Sequence, residues 1–245
     1  MNEHAGNEDT SSAAALDAQP DPPDLPEQRR NLVMVAAGAT LLAVAAAFAA
    51  VVASDAARPP AAGLDRWWLS VVTTWQSAPL TRAGEVLSYV AGPWGGTVVV
   101  AILVVLLLWR RRIWTAAFLA LAEGCGSGAS QLIKHLVKRP RPPHPLVQAD
   151  FGSFPSGHVI TTVVVGLALV AALSRPGRRR LPLIAVALIA ALMMCCRTYL
   201  RAHWLTDTFE SVAVGSGIAL VLWSLFTPVL LRDRPKASAA GQLRR

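Results

Sequence analysis

Six apolar runs divide the chain: Leu32–Ala53, Val86–Trp109, Ile113–Ile133, Val159–Leu173, Leu181–Cys196 and Ser211–Leu231. The first carries no charge in 22 residues, and about 20 apolar residues cross a hydrocarbon core as a helix. The third is interrupted only by Glu123. The fourth and fifth are short for full spans and must recruit flanking residues. Between the first two runs, Asp65–Arg82 is mixed, with Trp67, Trp68 and Trp75 spaced as interface aromatics are; it reads as a surface-lying or loop segment. The expected fold is an all-α, polytopic bundle of six transmembrane helices.

Composition supports this pattern. The chain is 53% hydrophobic and 16% charged, whereas soluble domains carry roughly a quarter charged residues. Residues 1–30 hold seven of the fifteen acids, two of the twenty-three bases and four prolines, and read as a disordered tail. This tail has no basic n-region, and a full-length apolar run follows it, which disfavours a cleaved signal peptide. Residues 31–232 form the expected membrane domain, and 233–245 a second tail. The net charge of +8 does not call for nucleic acid, because the bases cluster at the ends of apolar runs. The three cysteines, Cys125, Cys195 and Cys196, lie in apolar stretches and offer neither a disulfide framework nor a zinc site.

Six spans put both termini on one side, together with the basic clusters at 29–30, 110–112, 175–180 and 232–236. The positive-inside bias makes that side cytoplasmic. Residues 54–85, 134–158 and 197–207 then face outward. Two of these outer segments are themselves basic, an exception that points to function.

The outer clusters are Lys134-His-Leu-Val-Lys-Arg-Pro-Arg-Pro142, Phe154-Pro-Ser-Gly-His158 and Cys196-Arg-Thr-Tyr-Leu-Arg-Ala-His-Trp-Leu-Thr-Asp207. Together they offer cations, imidazoles and a carboxylate at one face. On a helix, His203 and Asp207 four residues apart share a face, so the carboxylate would fix one imidazole nitrogen and leave the other as base or nucleophile. Ser156 and Gly157 open the fourth run, where exposed amides bind anions and glycine permits close approach. The plainer reading is a capped helix; His158 on its first turn adds a proton donor. Lys138, Arg139 and Arg201 read equally well as side chains snorkelling to head groups.

Lys-x6-Arg-Pro, Pro-Ser-Gly-His and Arg-x5-His-x3-Asp, in that order, resemble the three signature motifs of the type 2 phosphatidic acid phosphatase superfamily. Its members include integral-membrane lipid phosphate phosphatases whose site is related to that of vanadium haloperoxidases. The motifs occupy residues 134–207. The resemblance implies that His203 is a nucleophile forming a phosphohistidine, that Asp207 holds and polarises it, and that His158 is the general acid. Lys134, Arg141, Ser156, Gly157 and Arg197 would bind the phosphoryl oxygens, without metal or cofactor. Fixed cations suit a reaction that needs positioning and charge stabilisation above all.

Two positions depart from the pattern. Cys196 stands where the third motif begins with serine, and a thiol is a weaker donor. Glu210 follows Asp207 by three residues, where the family has a small residue; it could pair with Arg197 or Arg201, or compete for His203. Glu123 lies on nearly the same face as Lys134 but about 16 Å deeper at 1.5 Å per residue. It is expected to face the bundle interior beside Gly124-Cys-Gly-Ser-Gly128, with a proton or substrate path as the alternative. Trp204 reads as an interface anchor.

The expected activity is hydrolysis of a lipid phosphate monoester or diphosphate from the outer leaflet, with membrane lipid as partner. A polyprenyl diphosphate, a glycerolipid phosphate and transfer of the phosphoryl group to another acceptor all remain open. A lipid transporter is the non-enzyme alternative; no inverted repeat or broken helix pair is visible in the sequence to favour it.

Overall fold

The structure is a computed structural model, and it describes residues 25–148 and 151–233. Among the described residues every regular element is helical: α1 (Leu25–Ser54), α2 (Ala62–Thr74), α3 (Ala78–Val90), α4 (Pro93–Trp109), α5 (Ile113–Val137), α6 (Gly157–Leu173), α7 (Arg180–Tyr199) and α8 (Leu205–Leu230), with a 3₁₀ turn at Pro176–Arg178. The tail expected at 1–30 is already helical from Leu25. Its first 24 residues, and the second tail beyond residue 233, lie outside the described residues.

By length and apolarity α1, α7 and α8 can cross a membrane unaided. The run expected as one span over Val86–Trp109 is instead the end of α3 followed by α4, bent by 47°. The cause is local: Gly92 takes an extended conformation before Pro93, which starts a new helix, and proline both disfavours a helical predecessor and suits a first helical position. Counted together, α3 and α4 make a fourth candidate span. The remaining two apolar runs are the 25-residue α5, which contains Glu123, and the 17-residue α6.

The segment expected on the surface, Asp65–Arg82, folds as α2 and the start of α3. Its role is structural as well as interfacial, because Asp65 is buried at 2% exposure.

Helix α8 is central, packing on α1, α5, α6 and α7. Its meeting with α1 depends on glycine. A Cβ on Gly38 would stand 2.9 Å from the Gly217 carbonyl oxygen, and one on Gly217 would stand 3.0 Å from that of Gly38. Such close backbone approach is how helices associate where lipid removes the hydrophobic drive between them. Phe118, Leu119, Ile160, Val164, Val214 and Leu230 fill the core between α5, α6 and α8, with Phe118 and Phe226 rings 5.2 Å apart. The outer surface is apolar: Val98, Ile102, Val105, Leu188 and Leu192 are exposed, as suits contact with acyl chains. At the end of the bundle opposite His203, the Asp233 carboxylate accepts the Thr115 amide at 2.7 Å, capping the start of α5.

Candidate active site

One end of the bundle gathers the three sequence clusters. Lys134 comes from the last turn of α5, His158 from the first turn of α6, Arg197 from the last turn of α7 and Asp207 from the first turn of α8. A cavity of about 590 Å³ opens beneath them, and Lys134, Gly157, His158, Arg197 and His203 are in its wall. Lys134, Arg197 and His203 are buried at 3–4% exposure.

His203 sits in the connection between α7 and α8. Arg201 takes a positive φ of 53° there, and the Ala202 and His203 amides both donate to the Arg197 carbonyl. The ring is held at Nδ1, which lies 2.5 Å from the Ser153 carbonyl oxygen. A carbonyl only accepts, so Nδ1 carries the proton and the lone pair is at Nε2. Nη1 of Arg141 stands 3.5 Å from that Nε2 and donates to the Ala202 carbonyl. Burial pushes the His203 pKa well below its ordinary value, and Arg197, Arg141 and Lys134 push it further, against the opposing pull of the Ser153 carbonyl. The result is an imidazole that favours its neutral form among three cationic side chains, with its lone pair at Nε2.

Asp207 stands differently from the sequence expectation. Its Oδ2 is 3.8 Å from His203 Nδ1, beyond hydrogen-bond range, and accepts the Trp204 amide at 2.8 Å. Oδ1 accepts from Arg139 Nη1. The i,i+4 argument requires both residues on one helix, yet α8 begins at Leu205, after His203. Asp207 therefore closes the helix start as a third-position carboxylate and lies behind the imidazole as a nearby charge.

Arg139, for which the sequence leaves snorkelling and a role in the site both open, is 2% exposed and does not snorkel. It links three elements, donating from Nη2 to Asp65 on α2 at 2.6 Å and from Nη1 to Thr206 at 2.8 Å as well as to Asp207. Asp65 in turn accepts the Thr206 amide and hydroxyl, at 2.9 and 2.8 Å. Charge pairing was the available signal, since a buried guanidinium in a membrane-face segment requires carboxylates.

Ser88, near the end of α3, was also missed. Its carbonyl accepts from His158 Nε2 at 3.0 Å and its hydroxyl accepts from Arg197 Nη1, so one residue orients both an imidazole and a guanidinium. No sequence signal marks it, because serine is ordinary in a mixed segment. Ser156 is fully buried; its amide donates to Ser211 Oγ at 2.7 Å, and its own hydroxyl has no partner among the described residues. The Cys196 thiol keeps a contact across to α3, 3.5 Å from the Gly84 carbonyl. Glu210 is buried, with one carboxyl oxygen unpartnered among the described residues, while Arg201 donates to Gln76 at 2.7 Å. Trp204 packs under Arg139, 5.5 Å from ring centre to guanidinium, and its indole donates to the Pro140 carbonyl at 2.8 Å. Among the described residues no group of three or more His, Cys, Asp or Glu side chains could hold a metal ion. The charge-stabilising groups on hand are the guanidiniums and the lysine.

Comparison with known proteins bears on the family and the fold. The family model for the PAP2 superfamily matches residues 112–229. A decaprenylphosphoryl-5-phosphoribose phosphatase of Mycobacterium tuberculosis is 29% identical over 174 residues, covering 64% of this chain and 89% of that protein; the sequence from a second strain matches equally. In fold, the chain is similar to a transmembrane PAP2-type phosphatidylglycerolphosphate phosphatase of Bacillus subtilis, with a TM-score of 0.66 at 20% identity over 82% of this chain and 98% of that one. Residues 112–229 thus match the PAP2 superfamily, and the chain is similar in sequence to a phosphatase and in fold to a transmembrane PAP2-type phosphatase.

Proposed function

We propose that the protein hydrolyses lipid phosphate monoesters or diphosphates at the extracytoplasmic face of the membrane, through a phosphohistidine on His203 and without a metal ion. The observation that carries this reading is the state of His203: its Nδ1–H is committed to the Ser153 carbonyl, and its Nε2 stands beside the Arg141 guanidinium.

In the first step the Nε2 lone pair attacks phosphorus as the bond from phosphorus to the leaving oxygen breaks. Lys134, Arg141, Arg197, the Gly157 amide and the Ser156 hydroxyl hold the remaining phosphoryl oxygens and take up charge as it develops. Nε2 of His158 is tied to the Ser88 carbonyl, so Nδ1 of the protonated ring gives its proton to the leaving oxygen. Water then attacks phosphorus, passing a proton to His158. The P–N bond breaks and inorganic phosphate departs, restoring both histidines. The Asp207 charge, held by Arg139, supports the positive imidazole of the intermediate from 3.8 Å.

A lipid substrate is supported by the position of the cavity, within a helical bundle whose outer surface is apolar. The outward topology is supported by the basic residues 110–112 and 175–180, at the bundle end opposite the site. The relative's name, a phosphatase of a polyprenyl-linked sugar phosphate, favours a lipid-borne monoester.

The test is phosphate release by detergent-purified protein in excess EDTA, from phosphatidic acid, phosphatidylglycerophosphate and a polyprenyl diphosphate, with wild type beside His203→Ala. The expected result is EDTA-resistant release that disappears in the variant. Release that survives in His203→Ala, or that EDTA abolishes, overturns the proposal.

A further inference from the structure

The catalytic cavity is deeper than a phosphoryl group requires. Its wall runs down α5 from Lys134 through Gln131, Ser130 and Ser127 to Glu123, a drop of about 16 Å at 1.5 Å per residue. At about 590 Å³ it falls in the range that encloses a whole small ligand. The spacing places these polar side chains on one face of α5, and Thr161 of α6 and Thr97 of α4 stand in the same wall. Leucine, isoleucine and phenylalanine are absent from that wall among the described residues.

At the bottom, Glu123 is organised but not satisfied. Its Oε1 accepts from the Ser127 hydroxyl at 2.8 Å and the Thr161 hydroxyl at 3.1 Å, which fixes the carboxyl group. Its Oε2 is buried with no partner among the described residues. Higher in the wall, the Ser130 hydroxyl is likewise unpartnered, on a residue 2% exposed. Unmet polar groups in an apolar setting are costly, and an acyl or isoprenyl chain pressed against them would leave them unmet. A second phosphate at the same depth would meet a carboxyl group rather than a cation. An uncharged, hydroxyl-bearing group satisfies both constraints.

We propose that the inner part of this cavity, around Glu123, Ser127, Ser130 and Thr161, is a subsite for a polyol or sugar unit carried between the scissile phosphate and the lipid. The phosphate sits at the cationic rim, the hydroxyls of the next unit donate to Glu123 and pair with the serine and threonine hydroxyls, and the chain leaves toward the bilayer. This assignment rests on the phosphatase reading above and narrows its substrate class. Glu123 acts on binding and specificity; the phosphoryl chemistry stays with His203.

The test uses the full-length protein in detergent with three monoesters: a polyprenyl-linked pentose 5-phosphate, its 2,3-dideoxy analogue and phosphatidic acid. For wild type, kcat/KM is expected to fall tenfold or more when the two hydroxyls are removed, since hydroxyl-reading sites discriminate strongly against analogues that lack them. In Glu123→Gln and in Thr161→Val that ratio should shrink to within about threefold. Equal turnover of the pentose lipid and its dideoxy analogue by wild type overturns the subsite, whatever the variants do. So does a loss in the variants that is equal for both lipids. Hydrolysis of phosphatidic acid alone would sink the subsite and leave the phosphatase reading standing. Release from none of the three would remove both.

Discussion

Replacing Arg139 by leucine should be among the most damaging single changes outside the reacting groups, and the structure gives its scale. The guanidinium is 2% exposed and donates to Asp65, Asp207 and Thr206. Leucine fills part of the volume but leaves two carboxylates buried, at 1% and 0% side-chain exposure, without their shared cation. Breaking a buried ion pair by removing one partner costs about 3–5 kcal/mol. For a chain of this size each kcal/mol is worth roughly 2–4 °C in Tm, so Arg139→Leu should melt about 6–20 °C lower. Arg139→Lys should fall between, because a single ammonium cannot reproduce a fork that serves two carboxylates. The assay is thermal unfolding in detergent, followed by fluorescence of the eight tryptophans. Adding Asp65→Asn to Arg139→Leu removes one stranded charge and should recover part of the loss, a coupling that additive sites would not show. Phosphatase activity should fall as well, because Asp207 and the start of α8 lose their anchor to α2. A Tm within about 2 °C of wild type, less than one kcal/mol at this chain length, would refute the reasoning.

Other consequences follow from the same contacts. With the His203 pKa held well below its ordinary value, the acid limb that this residue contributes to kcat/KM should lie below about pH 6.5, as a pH–rate profile on a soluble phosphomonoester would show. The same depression means that the unfolded chain takes up this proton first, so stability should decline as the pH falls through about 6.5; His203→Gln should remove that component from the pH dependence of Tm. Gly38→Val should push α1 and α8 apart at their closest approach, costing about 1–3 kcal/mol by overpacking and lowering Tm without shifting the pH profile. Cys196→Ser replaces a weak donor 3.5 Å from the Gly84 carbonyl with a stronger one, so activity should be retained and Tm should hold or rise.

What the sequence disclosed and what it concealed follow from the range of the interactions involved. That Lys134, His158 and Arg197 meet at one cavity was legible because each stands at a helix end, and each end is marked by an apolar run. The contact of Asp207 with His203 was misjudged because a four-residue spacing implies proximity only on a continuous helix, and here the helix starts between them. Arg139 was concealed by equivalence: a guanidinium at a helix end looks the same whether it reaches head groups or a buried carboxylate. Its partner Asp65 is 74 residues away on a segment read as surface. Ser88 was invisible for a different reason, since its carbonyl and hydroxyl matter through position alone. The break at Gly92–Pro93 lies in an apolar run, where hydropathy counts residues but does not see backbone direction.

The central claim is double displacement through His203, and the stereochemistry at phosphorus tests it most directly. A lipid thiophosphate monoester made chiral with oxygen isotopes would be hydrolysed and the configuration of the released thiophosphate determined by phosphorus NMR. Two in-line displacements, first by Nε2 and then by water, predict net retention. Net inversion would mean that water attacks the substrate in a single step, and would contradict the account.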